Sequence, residues 1–193
     1  MPSVVKSKLF VGFAAVLLAM VVGFGFAQMR GYAEHMNGHG HGAGHQHDMV
    51  NMPGLKGRDA TAEESEELAV MFNRFEEISR SVENLPNGIR TVTFGQDEEL
   101  MGVVTSHVIG MIDRVDMGRD PEVIIQSPTL DILFERRASI VTEMDITEAG
   151  IVVIQTSDDP EVVEALHVHA GEVSAMVERG MAAVHDMMAA RKP

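Results

Sequence analysis

Residues 139–161 read SIVTEMDITEAGIVVIQTSDDPE, and the fold follows from how this stretch divides. Residues 139–147 and 151–156 are rich in Ile, Val and Thr, whose branched side chains suit a pleated surface, and they flank Glu148, Ala149 and Gly150. The pattern predicts two strands joined by a tight turn. The chemistry then changes. Asp158 or Asp159 can accept from the free amides of a helix start, Pro160 has the φ of a first helical residue, and Glu161 complements the amide dipoles. A hairpin followed by a long helix is predicted, and LDILFERR at 130–137 predicts a short helix before it.

The same order occurs 62 residues earlier. Residues 68–118 match 130–180 without gaps, with 11 identities in 51 places: Leu68 and Leu130, Phe72 and Phe134, Arg74 and Arg136, Ile78 and Ile140, Gly88 and Gly150, Ile89 and Ile151, Asp97 and Asp159, Glu99 and Glu161, His107 and His169, Val115 and Val177, Gly118 and Gly180. The identities fall at turn, cap and core positions, so an internal duplication is inferred. In the first copy residues 77–85 and 89–94 flank Pro86, Asn87 and Gly88, a strong turn signal. Asp97, Glu98 and Glu99 open its long helix, and Thr61 with Glu64 begins a capping box for the helix ending in LAVMFNRF. Gly118 and Gly180 stand where each long helix should stop, although the second can run on through Met188. The expected class is α+β: a helix, hairpin and helix unit occurring twice about a pseudo-twofold axis, with a four-stranded antiparallel sheet and two long helices on one face.

In the first long helix Leu100, Val104, His107, Met111 and Val115 form one apolar stripe, matched by Val162, Leu166, His169, Val173 and Val177. Facing the sheet, His107 and His169 would lie in or near the core. Two converging imidazoles could hold a haem iron axially, or copper or zinc with a third donor such as Met111, and Arg74 and Arg136 could hold propionates or another anion. The bland alternative is that each His is a satisfied core residue and each Arg caps its short helix. His167, about 100° from His169, is expected at the surface. Met181, His185 and Met188 align on one helix side as soft donors for Cu(I), or as core fillers. His185, 16 residues from His169, would lie about 24 Å away along a continuous helix.

Toward the start of the chain, Lys6 and Lys8 precede an uncharged run at 9–27, LFVGFAAVLLAMVVGFGFA. Gly25 and Ala27 offer small residues for signal cleavage before Gln28. The run is also near the roughly 20 residues that cross a bilayer, so an uncleaved anchor stays open. Either reading places the rest outside the cytoplasm, periplasmic or otherwise extracytoplasmic. Residues 31–54, GYAEHMNGHGHGAGHQHDMVNMPG, carry His35, His39, His41, His45 and His47 among glycines, with Met36, Met49 and Met52 interspersed. Five of the nine His lie within 13 positions. Such a segment reads as a flexible tether, and its imidazoles with Met49 can close on copper, zinc or nickel. The domain plan is then a signal or anchor at 1–27, a tether at 28–60, repeat one at 61–118, a connector at 119–129 and repeat two at 130–193.

Composition narrows the chemistry. The chain has 193 residues, 45% hydrophobic and 23% charged, with 15 Lys plus Arg against 29 Asp plus Glu. A net charge of -14 leaves no basic surface for phosphates, so nucleic acid is not an expected partner. With no Cys there can be no disulfide, thiolate zinc site, cysteine-ligated cluster or c-type haem attachment. The P-loop, Gly-x-Gly-x-x-Gly, Gly-x-Ser-x-Gly and His-Glu-x-x-His motifs are absent, so no enzyme is indicated.

Residues 156–185, TSDDPEVVEALHVHAGEVSAMVERGMAAVH, resemble an uncharacterised group of small exported bacterial proteins, the likeness covering most of 60–188. The resemblance implies export and a folded domain and carries no activity. The leading expectation from the residues is an exported, non-catalytic protein that captures, stores, senses or delivers copper or zinc. A b-type haem or anionic-ligand binder through His107 and His169 is the first alternative. An acidic interaction module docking to a membrane complex is the second, and a homodimer is compatible with each.

Overall fold

The computed structural model describes residues 52–191. Helix α1 (Ala62–Asn73) opens on the capping box anticipated from the sequence. The Glu64 amide donates to Thr61 Oγ1 at 3.1 Å and the Thr61 amide to Glu64 Oε2 at 2.7 Å, satisfying two otherwise free donors. A 3-10 turn leads into the hairpin of β1 (Ile78–Leu85) and β2 (Gly88–Gly95), then α2 (Glu98–Met117), capped by Asp97, whose carboxylate accepts from the Leu100 amide. The order then recurs: α3 (Thr129–Glu135), a 3-10 turn, β3 (Ile140–Thr147), β4 (Gly150–Ser157) and α4 (Pro160–Arg179), capped by Asp159. A last helix, α5 (Met181–Ala190), completes the described chain.

The four strands form one antiparallel sheet in the order β1-β2-β4-β3, so the class is α+β. All four strands have eight residues. Both hairpins share one register: Ile78 opposes Gly95 as Ile140 opposes Ser157, each partner shifted by 62. At the centre β2 pairs with β4, and Thr91 opposes Val153, again 62 positions on. The register is therefore symmetric about that pair.

One face of the sheet is covered by the long helices, and the coverage is crossed. Val162, Leu166 and Ala170 of α4 pack with Ile89 of β2 and Val82 of β1, in the first half. Leu100 and Val104 of α2 pack with Ile151 and Val153 of β4 and Met144 of β3, in the second. Burial of these aliphatic chains, each contributing about 1.5–3 kcal/mol, is the main force holding helices to sheet. Phe94 and Val141, on the opposite face, are exposed.

Three features depart from the sequence reading. The second long helix does not run on: Gly180, at φ 55° and ψ -137°, separates α4 from α5. The 24 Å spacing of His185 from His169 along one straight helix therefore does not hold. Residues 52–60 are not part of a flexible tether. Met52 and Leu55 are buried against Phe72 and Val184, because the end of that segment supplies apolar chains where the part before it supplies mostly Gly and His. Finally, α2 buries Leu100 and Val104 as its stripe requires, but its last turn buries Arg114.

Candidate functional site

The duplicated histidines both lie half-buried on α2 and α4, yet their neighbours differ. His107 presents Nδ1 to Glu67 Oε2 of α1 at 3.6 Å, too long for a hydrogen bond. Burial holds its imidazole below the usual pKa while Glu67 draws it back up. His169 lies on the sheet side with Arg80 of β1 as its charged neighbour; burial, then the Arg80 cation, push its pKa down to about 4. It is neutral at pH 7.

Arg80 is the less expected member of this pair. Its Nη1 donates to Thr93 Oγ1 at 3.1 Å, its Nε is buried with no hydrogen-bond acceptor among the described residues, and burial pushes its pKa down to about 10. Among the described residues no carboxylate lies within ion-pair distance of it. In a chain with 29 acidic residues, a half-buried guanidinium without a counter-charge stands out. Sixty-two positions on from Arg80 and Thr93 stand Thr142 and Gln155, where the Gln155 amide donates to Thr142 Oγ1 at 3.4 Å, so the cation belongs to one hairpin only. Sequence gave no signal for it, since an Arg in a strand reads as solvent-facing.

Arg74 and Arg136, expected as anion clamps, are occupied by carboxylates. Arg74 pairs with Glu77 and with Asp97, the cap of α2, at 3.2 Å. Arg136 pairs with Asp159, the cap of α4, at 2.9 Å, and with Glu161. Each ties the start of its half to the start of a long helix. His167, expected at the surface, is half-buried, with Nε2 at 3.1 Å from the Leu85 carbonyl and 2.8 Å from the Gly88 carbonyl. The turn between β1 and β2 reaches back over α4 and supplies these acceptors.

Arg114 uses all five of its N–H donors. Nε and Nη2 form a fork on the two Glu64 oxygens; Nη1 reaches Asp59 Oδ2 and the Arg119 carbonyl, both at 3.0 Å, and Nη2 the Asp59 carbonyl at 2.7 Å. The guanidinium bonds hold the Glu64 and Asp59 carboxyls below the usual range. This cluster fastens Asp59, in the segment leading to α1, to the start of α1 and the end of α2. Its chemistry is structural.

Between α4 and α5 runs a groove of about 310 Å³, lined by Glu172, Met176 and Arg179 from one side and Ala183, Asp186 and Met187 from the other. Arg179 NH1 is engaged by Asp186 at 2.5 Å. One oxygen of Glu172 accepts from Ser127 Oγ at 2.6 Å; the other, Oε2, is buried and has no hydrogen-bond partner among the described residues. Met176, Met181 and Met187 pack around buried Met52. Of the expected trio, all on α5, Met181 joins this cluster, His185 is half-buried and Met188 is exposed. A second, shallower depression of about 440 Å³ follows the connector at Asp120, Glu122 and Gln126.

Among the described residues, no three or more His, Asp and Glu side chains are grouped so as to hold a metal ion, and no helix is long and apolar enough to cross a membrane. The apolar run at 9–27 and the candidate ligands His35, His39, His41, His45, His47 and Met49 lie outside the described residues. No family model, curated protein or solved structure matches this chain.

Proposed function

We propose that this protein is an exported, non-catalytic capture protein for copper or zinc, with the His-rich run as its ion-gathering element and the α+β domain as the body to which that run is fixed. One observation carries the reading: five His fall within 13 residues and end five positions before Met52, which is built into the domain core among three further methionines. Several neutral imidazoles on a Gly-rich chain close on one ion without a preformed cage. The Arg114 cluster and Leu55 give that run a fixed point of attachment. The repeated element order, strand lengths and registers support reading the domain as an internal duplication. The apolar run with its two preceding Lys supports an extracytoplasmic location, and fractionation of the tagged chain tests it.

Titration with Cu(II) and Zn(II) of the full chain, and of a chain lacking residues 35–48, tests the capture reading. The shortened chain should bind fewer equivalents. Equal stoichiometry in both removes the role of the run.

A second reading, an anionic ligand, is favoured by Arg80. A half-buried cation with an unused donor beside neutral His169 and Thr93 is a receptor for a small carboxylate or phosphate.

A further inference from the structure

We infer that the groove between α4 and α5 is a Cu(I) site, with the thioethers of Met176 and Met187 and the free oxygen of Glu172 as donors. The inference deepens the capture reading and rests on it for the source of the ion. Glu172 and Met176 are four residues apart on α4 and so share one face; Met187 comes from α5 across the groove.

Two independent observations point to a cation here. The first is the orphan oxygen. Glu172 keeps one oxygen bonded to Ser127 while Oε2 is buried and unbonded, a position that is costly unless a positive charge completes it. Arg179, the one cation lining the groove among the described residues, is committed to Asp186 and leaves that place open. The second is the sulfur content: Met176 and Met187 line the groove and also pack against the cluster that holds Met52 and Met181.

The donor set selects the ion. Thioether sulfur is a soft ligand that favours Cu(I), whereas Zn(II) and Cu(II) prefer imidazole, which the groove lining lacks. One carboxylate neutralises a monovalent ion and leaves a divalent one with excess charge in a partly dry groove. The His-rich run, by contrast, suits divalent ions, so the chain holds two sites of different preference.

The test uses the full chain with His35, His39, His41, His45 and His47 all changed to Ala, titrated anaerobically with Cu(I) against a chromophoric Cu(I) chelator. One equivalent should bind, with sulfur in the first shell by X-ray absorption. The pair Met176→Leu and Met187→Leu, which nearly conserves volume, should weaken binding about tenfold or more, as should Glu172→Gln. Absence of Cu(I) binding by the His-free chain, or binding unchanged in Leu variants that keep their circular dichroism, overturns the site. If the Leu variants unfold, a first shell without sulfur in the His-free chain overturns it equally. The two proposals fail separately: Cu(II) uptake by the intact chain with no Cu(I) uptake by the His-free chain removes only the groove, and the reverse removes only the run.

Discussion

Thr91 lies directly opposite Val153 in the central ladder, and the two are 62 positions apart, the offset that aligns the halves of the chain. The close pairing of β2 with β4 has a steric consequence. Gly88 and Gly150 are likewise 62 positions apart, and a Cβ at Gly88 would meet the Gln155 carbonyl oxygen at 1.9 Å, as one at Gly150 would meet that of Thr93 at 2.3 Å. Both have positive φ as well. The central ladder therefore closes only if both positions lack a side chain.

Gly88→Ala and Gly150→Ala should each destabilise the domain by about 2 kcal/mol or more, since backbone must shift to admit the methyl group. Urea unfolding checks it. Full stability in either variant would show that the close approach is not required.

Arg114→Met should cost about 3 kcal/mol, because it leaves Glu64 without the partner of both its oxygens in a largely buried place. Arg114→Lys should recover little, since an ammonium cannot form the fork. Limited proteolysis should then cut near residue 59 in both variants and not in the parent.

Acid should weaken the fold in two windows. His169 has its pKa pushed down to about 4, against an ordinary 6.5. Below pH 6.5 the unfolded chain takes up a proton that the folded chain refuses. The stability from His169 is thus complete above pH 6.5 and lost as pH falls toward 4, amounting to about 1–2 kcal/mol at pH 5. The Glu64 carboxyl, held low mainly by Arg114, contributes stability that is present above its ordinary 4.5 and lost only below it. His169→Gln should lessen the slope of the stability profile between pH 5 and 7, leaving the part due to His107, whose imidazole burial also holds low, and the lower window. An unchanged slope there would refute the assignment.

Arg80 predicts a ligand effect. Millimolar phosphate or a small dicarboxylate at constant ionic strength should raise the melting temperature of the parent by a few degrees, as any ligand of the folded state does. Arg80→Met should abolish the rise while stabilising the ligand-free domain by about 1 kcal/mol, since burial of an uncompensated charge is relieved. An equal rise in both would mean that the anion acts elsewhere.

Much of this architecture was legible because local signals agreed with the global pattern. Pro86-Asn87-Gly88 and Glu148-Ala149-Gly150 mark turns, Asp97 and Asp159 mark caps, and repetition let one half clarify the other. Arg114, Arg80 and Glu172 were not legible, because a charged residue on a helix or strand reads as solvent-facing until a distant segment covers it. Glu64 looked like half of a capping box and is also half of an ion pair 50 residues away in sequence. Residues 52–60 were hidden by their neighbours: a window dominated by Gly and His conceals that Met52 and Leu55 are core. His167 escaped for the same reason, its acceptors lying 79 and 82 positions away in the chain.

Crossed coverage means that neither half is a finished object. A chain severed in the loop between α2 and α3 would yield two pieces, each baring the strands that its sibling's helix should roof. Mixed together, they should recover the sheet by fragment complementation, while either one alone should self-associate, two copies exchanging helices to shield each other.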